Sequence, residues 1–140
     1  MGGSRPNSLF VYGTLMTAAA SSPLGQSQRA QLQAASRSLG PATIAGQLYD
    51  LGSYPALVPG DASNGQVHGE LLLMATPDVT LVWLDAYEGI DADRPEANEY
   101  ARIQRPAKLA DGSLIEAWVY VYCRSIVGLP LLKDGRWRSA

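Results

Sequence analysis

The residues able to do chemistry in this chain are few, and their scarcity narrows the choice. There is one histidine, His68, and one cysteine, Cys123, among 140 residues. A Ser-His-Asp or Cys-His device would have to use His68, which falls mid-strand beside Gly69. Cys123 follows the last long strand, where a cysteine is ordinarily a small buried hydrophobe. A zinc or iron site needs several ligands, which one histidine and one cysteine do not supply. Asp91, Asp93, Glu96 and Glu99 lack the spacing of a calcium loop and read as a solvated acidic loop. Metal-free acid/base chemistry by a carboxylate remains, and Glu88 is the acid placed for it. On a helical period from Met74 to Glu88, Leu81, Leu84 and Glu88 share one side at i, i+3 and i+7. Val79, Val82, Trp83 and Ala86 form a second apolar side. Burying a carboxylate is costly unless it is paired or protonated. Glu88 is therefore either a general acid/base facing a pocket or a helix-end acid that reaches water or one of the eleven Lys and Arg residues.

The elements that must position this acid follow from the punctuation around it. Pro77-Asp78 makes a helix start and Gly89 a helix end. Upstream, Asn7 to Tyr12 reads as a short strand whose continuous run Leu9-Phe10-Val11-Tyr12 suggests burial on both faces. It breaks at Gly13-Thr14, a turn that can present consecutive backbone N–H groups to an anion, although such a turn is also ordinary strand punctuation. Neither dinucleotide-binding nor P-loop glycine spacing is present. Pro23 to Ala35 can hold a short helix, broken at Gly40-Pro41. Thr43 to Tyr49 and Gln66 to Met74 read as strands, and Tyr54 to Gly60 as a proline-fenced edge piece. Glu99 to Leu109 and Ser113 to Tyr122 form a hairpin about Asp111-Gly112, and the tail to Ala140 is a loop with aromatic anchors. The sum is an α+β fold: one domain over residues 7–140, with a mixed, curved or barrel-like sheet of about six strands, one or two flanking helices and a flexible N-terminus at 1–6.

Hydrophobic residues at 46% and charged residues at 17% mark a folded chain with a single core. A formal charge of −2 argues against a nucleic-acid partner. A lone cysteine makes no internal disulfide, so nothing requires an oxidising compartment. No apolar run is long enough to span a bilayer, so no membrane partner is expected. Met1 to Pro6 has no apolar stretch of the signal-peptide kind, and Pro6 stands where a myristoylation pattern wants Ser or Thr. The expectation is a soluble cytoplasmic protein. Its oligomeric state is open, and Trp83, Trp118 and Trp137 are expected in the core.

Five stretches in register carry a resemblance: Leu9-Phe10-Val11-Tyr12-Gly13-Thr14-Leu15, Gly52-Ser53-Tyr54-Pro55-Ala56-Leu57-Val58, Val67-His68-Gly69-Glu70-Leu71, Leu84-Asp85-Ala86-Tyr87-Glu88-Gly89 and Tyr100-Ala101-Arg102. Together, across Leu9 to Tyr122, they resemble the gamma-glutamyl cyclotransferase-like superfamily, near its gamma-glutamylamine cyclotransferase and small bacterial branches. The resemblance implies a mixed barrel with flanking helices and a pocket floored by the turn after the first strand. It implies Glu88 as the catalytic acid/base and the backbone of Tyr12, Gly13, Thr14 and Leu15 as the holder of the glutamyl group. Tyr54, Tyr100, Arg102 and Tyr122 become candidates for substrate contact, the last three equally candidates for packing the barrel.

The implied reaction converts a γ-glutamyl amine or amino acid to 5-oxoproline and a free amine, without metal or cofactor. The α-amine is the nucleophile, so the enzyme orients the chain and moves protons. A non-catalytic module binding a small molecule or a protein on the same fold is the alternative. Two departures bear on the leaving group: the loop from Ile90 to Glu99 is longer than in the amine-specific branch, and Leu72 stands where many members carry an aromatic.

Overall fold

The computed structural model describes residues 6–13, 26–52, 54–61, 63, 65–90, 93–94 and 98–137. Strands β1 (Ser8–Val11), β2 (Ser36–Asp50), β3 (Pro55–Pro59), β4 (Gln66–Met74), β5 (Tyr100–Leu109), β6 (Leu114–Tyr122) and β7 (Leu131–Leu132) alternate with helices α1 (Gln26–Ala34) and α2 (Pro77–Tyr87). The strand order is β3-β2-β4-β1-β6-β5, and a further pairing of β2 with β5 closes β2, β4, β1, β6 and β5 into a barrel. β3 and β7 lie outside it on the far end of β2. β1 runs parallel to β6, with Ser8 opposite Ala117 and Leu9 opposite Trp118; the other pairings are antiparallel.

The apolar run of β1 has the physical reason its composition suggests. Phe10 packs inside the barrel with Ile44, Leu48, Leu57, Val67, Leu71 and Val119. Leu9 and Val11, on the opposite face, pack with Leu32 of α1 and with Leu81 and Leu84 of α2. A strand covered on both faces has no polar side to show.

β2 differs from expectation. Gly40-Pro41 does not end an element; β2 runs through it, with a register shift between Ser38 and Gly40 against β4. Pairing with β4 from Ser36 to Ala45 outweighs the local break, and the bulge absorbs it. The tail adds the short strand β7, and Pro106 sits inside β5, opposite Glu116. Among the described residues no helix is long and apolar enough to cross a membrane.

Candidate active site

Helix α2 brings the acid to the barrel. It opens at Pro77, where proline forfeits no helical hydrogen bond, with Asp78 in its first turn. Leu81 and Leu84 are buried, whereas Val79 and Val82 are 65% and 71% exposed. The second apolar side read from the sequence is thus turned largely to solvent, and the side carrying Glu88 is the packed one. The end of the helix is tightly held. The Glu88 N–H donates to Leu84 O at 2.9 Å, the Gly89 N–H to Ala86 O at 3.1 Å and the Ile90 N–H to Asp85 O at 2.9 Å. Gly89 has φ +75°, the left-handed conformation that closes a helix and favours glycine.

Glu88 faces a cavity of about 330 Å³ walled by the end of β1 (Phe10 to Gly13), by Tyr54 and Pro55, and by Glu99, Tyr100 and Tyr120. Gly13 is required by close approach, since a Cβ there would lie 2.9 Å from Pro55 Cγ. Among the described residues, five tyrosines line the space, and three of them use their hydroxyls as hydrogen-bond donors. Tyr12 donates to the carbonyl of Tyr120, Tyr100 to Pro55 O at 2.8 Å, and Tyr120 to Asp85 Oδ1 at 2.7 Å. Burial, above all, raises all three above the ordinary tyrosine value and keeps them neutral. Burial is also the main cause that pushes the Glu88 carboxyl up from 4.5 to about 7, with the charges of Glu99 and then Asp85 adding to it. Among the described residues no lysine or arginine pairs with Glu88. A carboxylate so placed is present in both protonation states near neutrality, as a group that must take and return a proton requires.

A second ionic feature lies one helical turn back. Arg102 grips Asp85 with both ends of its fork, Nε to Oδ1 at 2.8 Å and Nη2 to Oδ2 at 3.1 Å. Its guanidinium lies 4.3 Å from the centre of the Trp118 ring, whose Nε1 donates to Pro6 O at 3.0 Å. Asp85 therefore serves Arg102 and the cavity phenol Tyr120 at once.

Of the residues named from the sequence, Glu88, Tyr12, Gly13, Tyr54 and Tyr100 line this one cavity. Thr14 and Leu15 lie outside the described residues. Arg102 and Tyr122 are not among its walls: Arg102 is turned to Asp85, and Tyr122 packs edge-on against Tyr100 with ring centres 5.6 Å apart. Tyr87, Glu99 and Tyr120 line the cavity without having been singled out for it. Strand alternation puts Tyr120 and Tyr122 on the same face, so it nominates both equally. Cys123, expected to be buried, is exposed. Among the described residues no cluster of three or more His, Cys, Asp or Glu has a metal-holding arrangement.

A barrel of this topology with an acid at the end of its packed helix defines a family, and comparison with known proteins names it. The family model described as "Gamma-glutamyl cyclotransferase, AIG2-like" matches residues 9–139, so the chain belongs to that family. The chain is 45% identical over 93 residues to the gamma-glutamylcyclotransferase family protein YtfP of Escherichia coli K12, a match spanning 65% of this chain and 66% of that one, just under two thirds of the relative. A putative gamma-glutamylcyclotransferase of Vibrio cholerae is 35% identical over 133 residues, 92% of this chain and 93% of its own. The solution structure of Escherichia coli ytfP superposes with a TM-score of 0.61 at 37% identity, covering 93% of this chain and 95% of that one. A mouse AIG2-like protein shares the fold, with a TM-score of 0.66 at 19% identity over 91% of this chain and 86% of its own.

Proposed function

We propose that this chain is a cyclotransferase that closes a γ-glutamyl amine or γ-glutamyl amino acid into 5-oxoproline and releases the amine, with Glu88 as its acid/base. The observation that carries the proposal is the placement of Glu88, held near neutral by burial in a phenol-lined cavity and unpaired with any described cation. The α-amine of the substrate attacks its own γ-carbonyl, forming the ring C–N bond. Glu88 accepts the proton that the amine sheds. The amide C–N bond then breaks, and the same proton passes to the leaving nitrogen. Holding nucleophile and carbonyl together in one cavity supplies the orientation that this intramolecular reaction needs. The turn at Tyr12 and Gly13, pressed against Pro55, offers backbone N–H groups to the substrate carboxylate or to the developing oxyanion. Tyr54, 48% exposed at the rim, faces the leaving group. No step calls for a cofactor.

The test is release of 5-oxoproline from a panel of γ-glutamyl amines, amino acids and peptides, with Glu88→Gln in parallel. Turnover by the parent and a loss of about 10²- to 10⁴-fold in the variant are expected. Retained turnover in Glu88→Gln would remove the acid from its role. Silence across the panel, with γ-glutamyl ligands failing to raise the melting temperature, would instead favour a non-catalytic binding module on the same fold.

A further inference from the structure

A second cavity, of about 810 Å³, lies apart from the first and shares none of its walls. The barrel's register assembles its chemistry. Thr43 of β2 is paired with His68 of β4 on one side and with Lys108 of β5 on the other, so the three stand in one row across three strands. Residues directly opposite in such a row have Cβ atoms about 5 Å apart. The C-terminal tail completes the wall. The His68 N–H donates to Gly135 O at 2.8 Å, and Gly135 passes so close to β4 that a Cβ would lie 2.0 Å from Gln66 O. This crossing fixes the two residues that follow: Arg136 lines the cavity, and Trp137 lines it while packing against the barrel core.

The walls thus gather a lysine, an arginine and a histidine on a chain whose net charge is −2. Glu70, the acid among them, accepts the Ser38 hydroxyl at 2.6 Å. Burial and then the Arg136 charge hold His68 below its ordinary value, against the opposing pull of Asp134, so the Arg136 guanidinium lies near enough for the ring to feel it. Gathered donors of one sign beside an indole suit a ligand with an acidic group and a flat ring.

We propose that this cavity binds a small organic anion, its carboxylate or phosphate group held by Lys108, Arg136 and His68 and its ring laid against Trp137. The site is independent of Glu88 and of the cyclotransferase reading. Arg136 and Lys108 are exposed, so their replacement leaves the barrel intact.

His68 is the one histidine of the chain, which makes its ring resonances an unambiguous reporter. The experiment is an NMR titration of His68 in the full chain with phenyl phosphate, benzoate, inorganic phosphate and benzyl alcohol. An anion settling beside the ring favours its charged form, so phenyl phosphate or benzoate is expected to raise the His68 pKa in a saturable way. The larger of those two responses identifies the acidic group. Benzyl alcohol is expected to leave it unmoved, and inorganic phosphate to act only at much higher concentration. Lys108→Met/Arg136→Met should raise the His68 pKa without ligand and abolish the ligand-dependent rise; Lys108→Met alone should weaken it. A His68 titration unchanged by every anion, or a response identical in parent and double variant, overturns the site. Equal potency of inorganic and phenyl phosphate overturns the part assigned to Trp137.

Discussion

Replacing Glu88 by glutamine should make the protein more stable near and above neutral pH, and increasingly so as the pH rises towards and past about 7. The carboxyl has a value of 4.5 in an unfolded chain and about 7 in the folded one. The folded protein therefore holds this proton more tightly than the unfolded chain does. Below about pH 4.5 both states carry the proton and Glu88 imposes no charge penalty. Between the two values the folded state must be protonated or suffer a buried charge, and stability falls as pH rises. Above about 7 the penalty is complete, and the gap between the two values corresponds to about 3 kcal/mol at about 1.4 kcal/mol per pH unit. Glu88→Gln keeps the shape and removes the charge. Its own cost, a buried amide that must find partners, is about 1 kcal/mol and does not depend on pH.

The quantity to measure is therefore the change with pH of the stability difference between variant and parent, which cancels the groups that titrate independently of Glu88. Urea unfolding of both proteins at about pH 5 and about pH 8.5 should show the variant gaining on the parent by about 2–3 kcal/mol across that interval. A difference that stays flat would mean that Glu88 titrates as a solvated acid, and the case for a near-neutral base in the cavity would fall with it. The same substitution should abolish turnover, so one variant separates what the acid costs the fold from what it does for the reaction.

Two further perturbations read the neighbours of Glu88. Glu99→Gln removes the largest charge effect on Glu88 after burial, so the acid limb of kcat/KM should move to lower pH; because Glu99 is exposed, the shift should shrink in high salt, and an unmoved limb would clear Glu99 of influence. Arg102→Met breaks a two-point bond to Asp85 whose partners are 22% and 26% exposed, so a stability loss of about 1–2 kcal/mol is expected by urea unfolding. Its kinetic effect should fall on kcat, through Asp85 and Tyr120, and a change confined to KM would return Arg102 to direct substrate contact.

What the sequence discloses about this site divides along a physical line. Glu88 is legible because its position depends on a local period that sets it on the side of Leu81 and Leu84; that this side packs, and the side of Val79 and Val82 faces solvent, is decided by the fold. The β5–β6 hairpin is legible for the same reason, its turn at Asp111-Gly112 being set by neighbouring residues, with Gly112 at φ +90° and the Ser113 N–H bonded to Asp111 Oδ1 at 2.9 Å. Barrel closure is not local. It decides that β2 runs through Gly40-Pro41, because the bonds that hold the strand come from β4. It decides that Tyr120 rather than Tyr122 reaches the cavity, although alternation treats them alike. It also joins Asp85 to Arg102 across 17 positions and sets Thr43 between His68 and Lys108. The acid could thus be named from its own helix, but the property that equips it for proton transfer is its burial, helped by Glu99 and Asp85. That burial is made by walls drawn from β1, the start of β3, the approach to β5 and from β6, segments that only closure brings together. A local pattern can therefore nominate a base, whereas its pKa belongs to the topology.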